Sequence, residues 1–154
     1  MAVRVCGLIP KVFMTPNREV SIQYLWVQEE SGLWSLPGGH VEPSDKSWDF
    51  ALVRELLEEL GISTGGILNV GNMFGPYRRK FGDDLHVLYL VTRYTPEPKV
   101  VSEVKDLQWI SGKSDPASKF SYHVPSRSLF MAVRRSVNNQ VRSLFVNKRL
   151  IQAQ

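Results

Sequence analysis

The sequence predicts an α/β fold in which a mixed sheet is flanked by helices. Three observations carry that reading. Short apolar runs bounded by turn residues recur over the first 110 residues, one strongly amphipathic helix interrupts them, and further helical pattern closes the chain. The 154 residues suit a single domain over 1–154 with a proper core, ending in a basic helical segment at 126–154.

Residues 3–12 are apolar and β-branched, which predicts a buried strand that ends near the turn Thr15-Pro16-Asn17. Residues 20–28 predict its hairpin partner. Ser31-Gly32 then turns the chain into a short Trp34-Ser35-Leu36 segment that delivers Pro37-Gly38-Gly39, glycines that allow close backbone approach to a ligand. Residues 67–74 and 85–94 are the next strand candidates, around a loop that holds Tyr77, Arg78, Arg79 and Lys80. Thr95-Pro96-Glu97-Pro98 breaks the second of them, and 107–110 form a last short strand. Pro125-Ser126 opens a helix with Leu129, Phe130, Val133 and Val137 on one side and Ser126 as its expected N-cap. Asn138-Asn139 weakens that helix, and 141–151 read as a further helical piece.

Several function classes are set aside by composition. The first ten residues have too short an apolar run for a signal peptide, and no stretch is long enough to span a membrane. One cysteine, Cys6, excludes an internal disulfide and suits a reducing cytoplasm. His40, His86 and His123 lack the spacing of a zinc site, and no Ser or Cys stands in a recognisable nucleophile setting. All fifteen acids lie within the first 115 residues, against twelve of the nineteen basic ones, so that part carries −3 and the remainder is purely basic. A basic C-terminal surface of this kind is a solvated face or, as the sharper alternative, a site for polyanions such as RNA.

The stretch 38–62 holds the chemistry. Its second half is helical, with Val53, Leu56, Leu57 and Leu60 on one arc and Glu55, Glu58 and Glu59 on the other; Gly61 supplies the stop. Three carboxylates at i, i+3 and i+4 repel one another. They are either a solvated acidic face or ligands for a hard divalent cation, which takes oxygen donors. Their company decides: a Gly-Gly turn before the helix, Arg54-Glu55 in its middle, and Glu58-Glu59-Leu60-Gly61-Ile62 at its end.

That ordered pattern resembles the Nudix box, which runs Gly, five residues, Glu, seven residues, then Arg-Glu-aliphatic-x-Glu-Glu-x-Gly-aliphatic. Arg54 to Ile62 match at every position. The first half departs: counting on from Gly39 reaches Asp45, while counting back from Arg54 reaches Lys46, so the loop holds one extra residue. The resemblance implies an α/β/α Nudix sandwich and a Mg²⁺-dependent hydrolase, with Mn²⁺ as substitute, acting on a nucleoside diphosphate linked to another moiety. It implies Glu55, Glu58 and Glu59 as metal ligands, with the Gly39 carbonyl beside them, and replacing Glu58 by Gln is expected nearly to abolish turnover.

Arg54, a cation fixed among acids, orients the carboxylates. A base not tied to metal is also needed, and Glu103 is the candidate, with Asp106 competing. With no nucleophile in view, water attacks directly. In the 77–80 loop, Tyr77 can stack on a base while Arg78, Arg79 and Lys80 hold phosphates; a hairpin tip with solvated cations is the plainer alternative. The N-terminal nine residues, the loop from Gly39 through His40 to Pro43, Tyr77 and 103–110 look like asymmetric diadenosine tetraphosphate hydrolases, which would split a dinucleoside polyphosphate to NTP plus NMP. His40 joins the expected substrate contacts on that ground. Gly38 stands where those enzymes commonly have lysine. The alternatives are a (d)NTP or ADP-ribose pyrophosphatase, an RNA 5′ pyrophosphohydrolase, or a Nudix module that binds nucleotide or RNA without hydrolysis.

Overall fold

The computed structural model describes residues 2–74, 84–119 and 121–147. Two four-stranded sheets form its centre. The first has the order β5-β1-β7-β6, from β1 (Val3–Leu8), β5 (Gly38–His40), β6 (Ser63–Phe74) and β7 (Leu85–Thr95). It is mixed, because β1 runs parallel to β7 while the β1–β5 and β6–β7 pairs are antiparallel. In the second, β3 (Val20–Glu29) pairs antiparallel with β2 (Pro10–Met14), β4 (Trp34–Ser35) and β8 (Val104–Ser111).

The single strand expected over 3–12 is therefore two strands in two sheets. Pro10 is the cause: it has no N–H for a ladder, and the chain steps between sheets at Ile9-Pro10. The carbonyls at this step are satisfied from outside, Ile9 O by the Leu25 N–H and Pro10 O by the Tyr94 hydroxyl. The hairpin partnership of β2 and β3 is as expected. Strand β6 begins four residues before 67, where Gly65 and Gly66 hide the apolar pattern, and β8 begins three residues before 107.

Strand alternation sorts the core onto two faces. Cys6, Leu8, Tyr24, Trp26, Leu88 and Leu90 pack against Leu129, Phe130, Val137 and Val141 of α2 (Val124–Val146). The intervening residues Val5, Leu25, Val27, Val87, Tyr89 and Val91 pack against Ala51, Leu52, Leu56 and Leu60 of α1 (Trp48–Leu60). A helix on each face of the sheets gives the α/β/α sandwich. At about 1.5–3 kcal/mol for each fully buried aliphatic or Phe side chain, these two layers dominate the stability.

Helix α1 starts where Ser47 Oγ accepts the Phe50 N–H and stops at Gly61, in the left-handed region at φ 67°. Its buried side differs from the expected arc. Leu57 is 56% exposed and Val53 lies at the margin, while Leu52, Leu56 and Leu60 form the inner row beside Ala51, Glu55 and Glu59. Leucines fill both candidate stripes, so periodicity alone cannot select the row that meets the sheet.

The C-terminal helix is one continuous element through Asn138 and Asn139 rather than two pieces; 148–151 of the expected second piece lie outside the described residues. Asn138 does not compete with its own backbone, because its amide is used across the core: Oδ1 accepts from Tyr24 Oη at 2.7 Å, and Nδ2 donates to Gly112 O. Its N-cap is His123, not Ser126. Ser126 is buried inside the first turn, and its Oγ accepts the Leu36 N–H at 3.2 Å. Tyr24→Phe is expected to cost about 1–3 kcal/mol by stranding Asn138 Oδ1. A urea titration that finds wild-type stability would remove this pin from the account.

Candidate active site

The site is built where β5 meets α1. In the β1–β5 pairing Arg4 faces His40, Val5 faces Gly39 and Cys6 faces Gly38. Gly38 has φ +150°, and any Cβ there would overlap the Val5 carbonyl, so a lysine or any other side chain is excluded. At Gly39 a Cβ would sit 2.5 Å from the Glu55 carboxyl carbon. The two glycines thus let the strand backbone lie directly against the first carboxylate of the helix.

Arg54 ties the preceding loop to that helix. Its Nε and Nη2 donate to the two Asp45 oxygens, both at 2.8 Å, Nη2 also reaches His40 O, and Nη1 donates to Glu55 at 3.1 Å and Glu58 at 3.3 Å. Asp45 accepts the Glu42 N–H as well, which closes the turn. Hydrogen bonds from Arg54, then that N–H, hold the Asp45 carboxyl down at about 2. Asp45, not Lys46, is therefore the acid that engages the arginine. Arg54 has the orienting place expected of it and does not line the cleft described next.

Glu55 and Glu59, one helical turn apart, are both buried and line a cleft of about 540 Å³ together with Gly39, His40 and Glu103. Burial raises the pKa of each; repulsion from Glu55 raises Glu59 further, while Arg54 pulls Glu55 back. Glu59 Oε2 is buried with no hydrogen-bond partner. Such an atom is costly unless something binds it. Among the described residues no three acid, His or Cys side chains stand close enough to enclose a cation alone. A pair of carboxylates beside a backbone strand is instead the donor set of Mg²⁺, which takes one or two carboxylates and completes its shell with water and substrate phosphates. The residues fit the ion. Glu58 is turned outward, 58% exposed, and is not part of the cleft wall.

Of the two competing bases, Glu103 lines the cleft, and Asp106 does not; Asp106 Oδ1 accepts its neighbour's Leu107 N–H. Glu103 also holds φ 60°, an uncommon left-handed conformation for a residue with a side chain. His40 is exposed at the cleft rim, with Nε2 3.7 Å from Asp84. Tyr77, Arg78, Arg79 and Lys80 lie outside the described residues. Arg4, Glu29, Glu30 and Ser35 are among the cleft residues that the sequence reading did not single out. An Arg in a β-strand four residues from the chain start carries no local signal, and only the sheet register brings it here.

An α/β/α sandwich with a helix-borne acid pair facing a two-glycine strand defines a class, and residues 11–114 match the NUDIX domain. The chain belongs to the Nudix family of hydrolases. It is similar to the rat (Rattus norvegicus) asymmetrical bis(5′-nucleosyl)-tetraphosphatase, 33% identical over 117 residues that cover 69% of this chain and 68% of that protein. The pig (Sus scrofa) enzyme of the same name is 42% identical over 74 residues, 42% of this chain and 46% of that protein, so the chain spans about half the length of that relative. The CTP pyrophosphohydrolase of Escherichia coli K12 is 32% identical over 114 residues, covering 69% of this chain and 76% of that protein. Among solved structures, the MutT Nudix hydrolase of Burkholderia pseudomallei superimposes with a TM-score of 0.67 at 21% identity, over 84% of this chain and 95% of that one. The E. coli ORF135 protein gives 0.65 at 27% identity, over 88% and 92%. No described helix is long and apolar enough to cross a membrane.

Proposed function

We propose that the protein hydrolyses a phosphoanhydride in a nucleotide, with Mg²⁺ as cofactor and Mn²⁺ as a substitute, and that its substrate is a dinucleoside polyphosphate split to NTP plus NMP. The observation that carries the reading is the buried Glu55–Glu59 pair, one oxygen unpartnered, facing a cleft beside Gly39. A bound divalent ion supplies charge neutralisation on the phosphates and acidifies water. Glu55 and Glu59 would hold it, and Glu58, which stands solvated outside the cleft wall, would join from the same helix only by turning inward. Arg54 fixes their orientation through Asp45 and His40 O. Glu103, free of the helix, takes the proton of the attacking water as the new P–O bond forms and the bridging P–O bond breaks, leaving the electron pair on the departing phosphate. Likeness to enzymes named tetraphosphatases supports the dinucleotide; likeness to one named CTP pyrophosphohydrolase keeps nucleoside triphosphates as the competing substrate.

Incubation with diadenosine tetraphosphate, nucleoside triphosphates and ADP-ribose in Mg²⁺, with products resolved, tests this. ATP plus AMP from the dinucleotide is the expected pattern, and Tyr77→Ala is expected to weaken its binding by about 1–3 kcal/mol, one stacked base. A preference for triphosphates, or an unmoved Tyr77→Ala, would retire the dinucleotide. Glu103→Gln should lower kcat by about 100-fold or more, as for loss of a general base, with half-saturation by Mg²⁺ unchanged. Asp106→Asn should stay within a few-fold of wild type, and the reverse ranking would transfer the role to Asp106.

A further inference from the structure

Six glutamates and His40 line the cleft, and Arg4 is the only lysine or arginine that does so among the described residues. In so acidic a space a fixed protein cation would add to the metal in setting a polyphosphate's position. Arg4 comes from β1, with His40 and His86 as its neighbours on the flanking strands. Its side chain is 17% exposed and its guanidinium half committed: Nη2 donates to Glu29 Oε1 at 3.0 Å, and it makes no other hydrogen bond among the described residues. Glu29 is itself fixed by the Ser35 hydroxyl, which donates to the same oxygen at 3.0 Å. Arg4 lines the same cleft as the Glu55–Glu59 pair. A planar guanidinium braced on one edge keeps its other N–H groups for a two-oxygen acceptor, which a phosphate offers.

We propose that Arg4 is a phosphate-binding residue of the cleft, with Glu29 and Ser35 as positioning residues that hold its fork in place. This rests on the nucleotide reading above and names the protein group that grips the substrate's phosphate chain beside the acid pair. Gly38 leaves no room for a side chain, so the cation for this end of the cleft comes from the neighbouring strand instead.

The test is calorimetric binding of inorganic pyrophosphate with Mg²⁺, which needs no turnover, run beside nucleotide kinetics. Arg4→Met should weaken pyrophosphate at least about tenfold, the loss of one charge-assisted hydrogen bond, and raise KM more than it lowers kcat. Arg4→Lys should recover part of the affinity. Glu29→Gln should weaken binding in the wild-type background and add nothing on top of Arg4→Met, which a merely structural Glu29 would not reproduce. Should Arg4→Met unfold because Glu29 is stranded, the double change Arg4→Met, Glu29→Met removes both charges and carries the same expectation. Equal affinity in wild type and the Arg4 variants overturns the assignment, as does wild-type protein that binds no pyrophosphate. Arg4-dependent pyrophosphate binding with no nucleotide hydrolysed would keep this anion site and overturn the hydrolase reading instead.

Discussion

Glu59→Gln is expected to lower turnover by at least about 100-fold, since groups that merely orient a metal ligand already cost 10–100-fold when lost. The reason is its Oε2 atom, buried and without a partner, next to a second buried carboxylate. The same features predict an opposite effect on the metal-free fold. Two adjacent carboxylates in a cleft repel, and burial penalises their charge. Replacing one by a neutral isostere should leave the melting temperature in EDTA at or above that of wild type. Glu58→Gln is the control. It should also lose most turnover, but Glu58 is solvated, so its metal-free melting temperature should not move. Paired thermal melts and Mg²⁺-saturated kinetics read both quantities. Glu59→Gln with activity within a few-fold of wild type would remove it as a ligand. A clear drop in its EDTA melting temperature would mean that the buried carboxylate stabilises the fold without metal.

The acid-bearing helix was legible because its residues act locally: the Gly61 stop and the carboxylate spacing belong to one element, although its Ser47 cap went unread. The two-glycine turn was legible as a place of close approach, though not what approached it; the overlap with Val5 exists only once β5 lies on β1. Long-range register hid the rest. Arg4, Glu29 and Ser35 come from three strands and meet only in the folded chain. Pro10 was visible as a residue, yet the long apolar run around it outweighed the missing N–H, and one strand was expected where the chain changes sheets. Asn138 misled in the opposite direction. Read locally it weakens a helix, but its side chain is occupied by Tyr24 and Gly112, contacts 114 and 26 residues distant.

Asp45→Ala is expected to reduce activity by about 10–100-fold, the usual cost of removing a group that orients a metal ligand, while Lys46→Ala stays within about twofold as an ordinary surface change. The extra residue in the loop leaves two positions, one by each count, for the acid that faces Arg54. The structure resolves the choice because Asp45 closes both sides of the clasp: its two oxygens take the Nε and Nη2 donors, and one also takes the Glu42 N–H. Aspartate, a methylene shorter than glutamate, is what this lengthened turn accommodates. Asp45→Asn should behave much like Asp45→Ala, since an amide offers one acceptor oxygen to a fork that needs two. Freed of Asp45, Arg54 would keep Glu55, Glu58, the His40 carbonyl and a longer ion pair with Glu42 at 3.8 Å, and would shift toward the carboxylates a metal must bind. The loss should therefore show first as a raised Mg²⁺ requirement. The pH dependence has a definite sign. The Asp45 carboxyl is held down at about 2, so the clasp's contribution is fully present above the ordinary carboxylate range and fades only as pH falls toward that value. An acid limb in the wild-type rate profile near neutrality must then belong to other groups and should persist in Asp45→Asn. Lys46→Ala as damaging as Asp45→Ala would return the acid's place in the loop to an open question, and a normal Mg²⁺ requirement in Asp45→Asn would show that Arg54 keeps its orientation without the clasp.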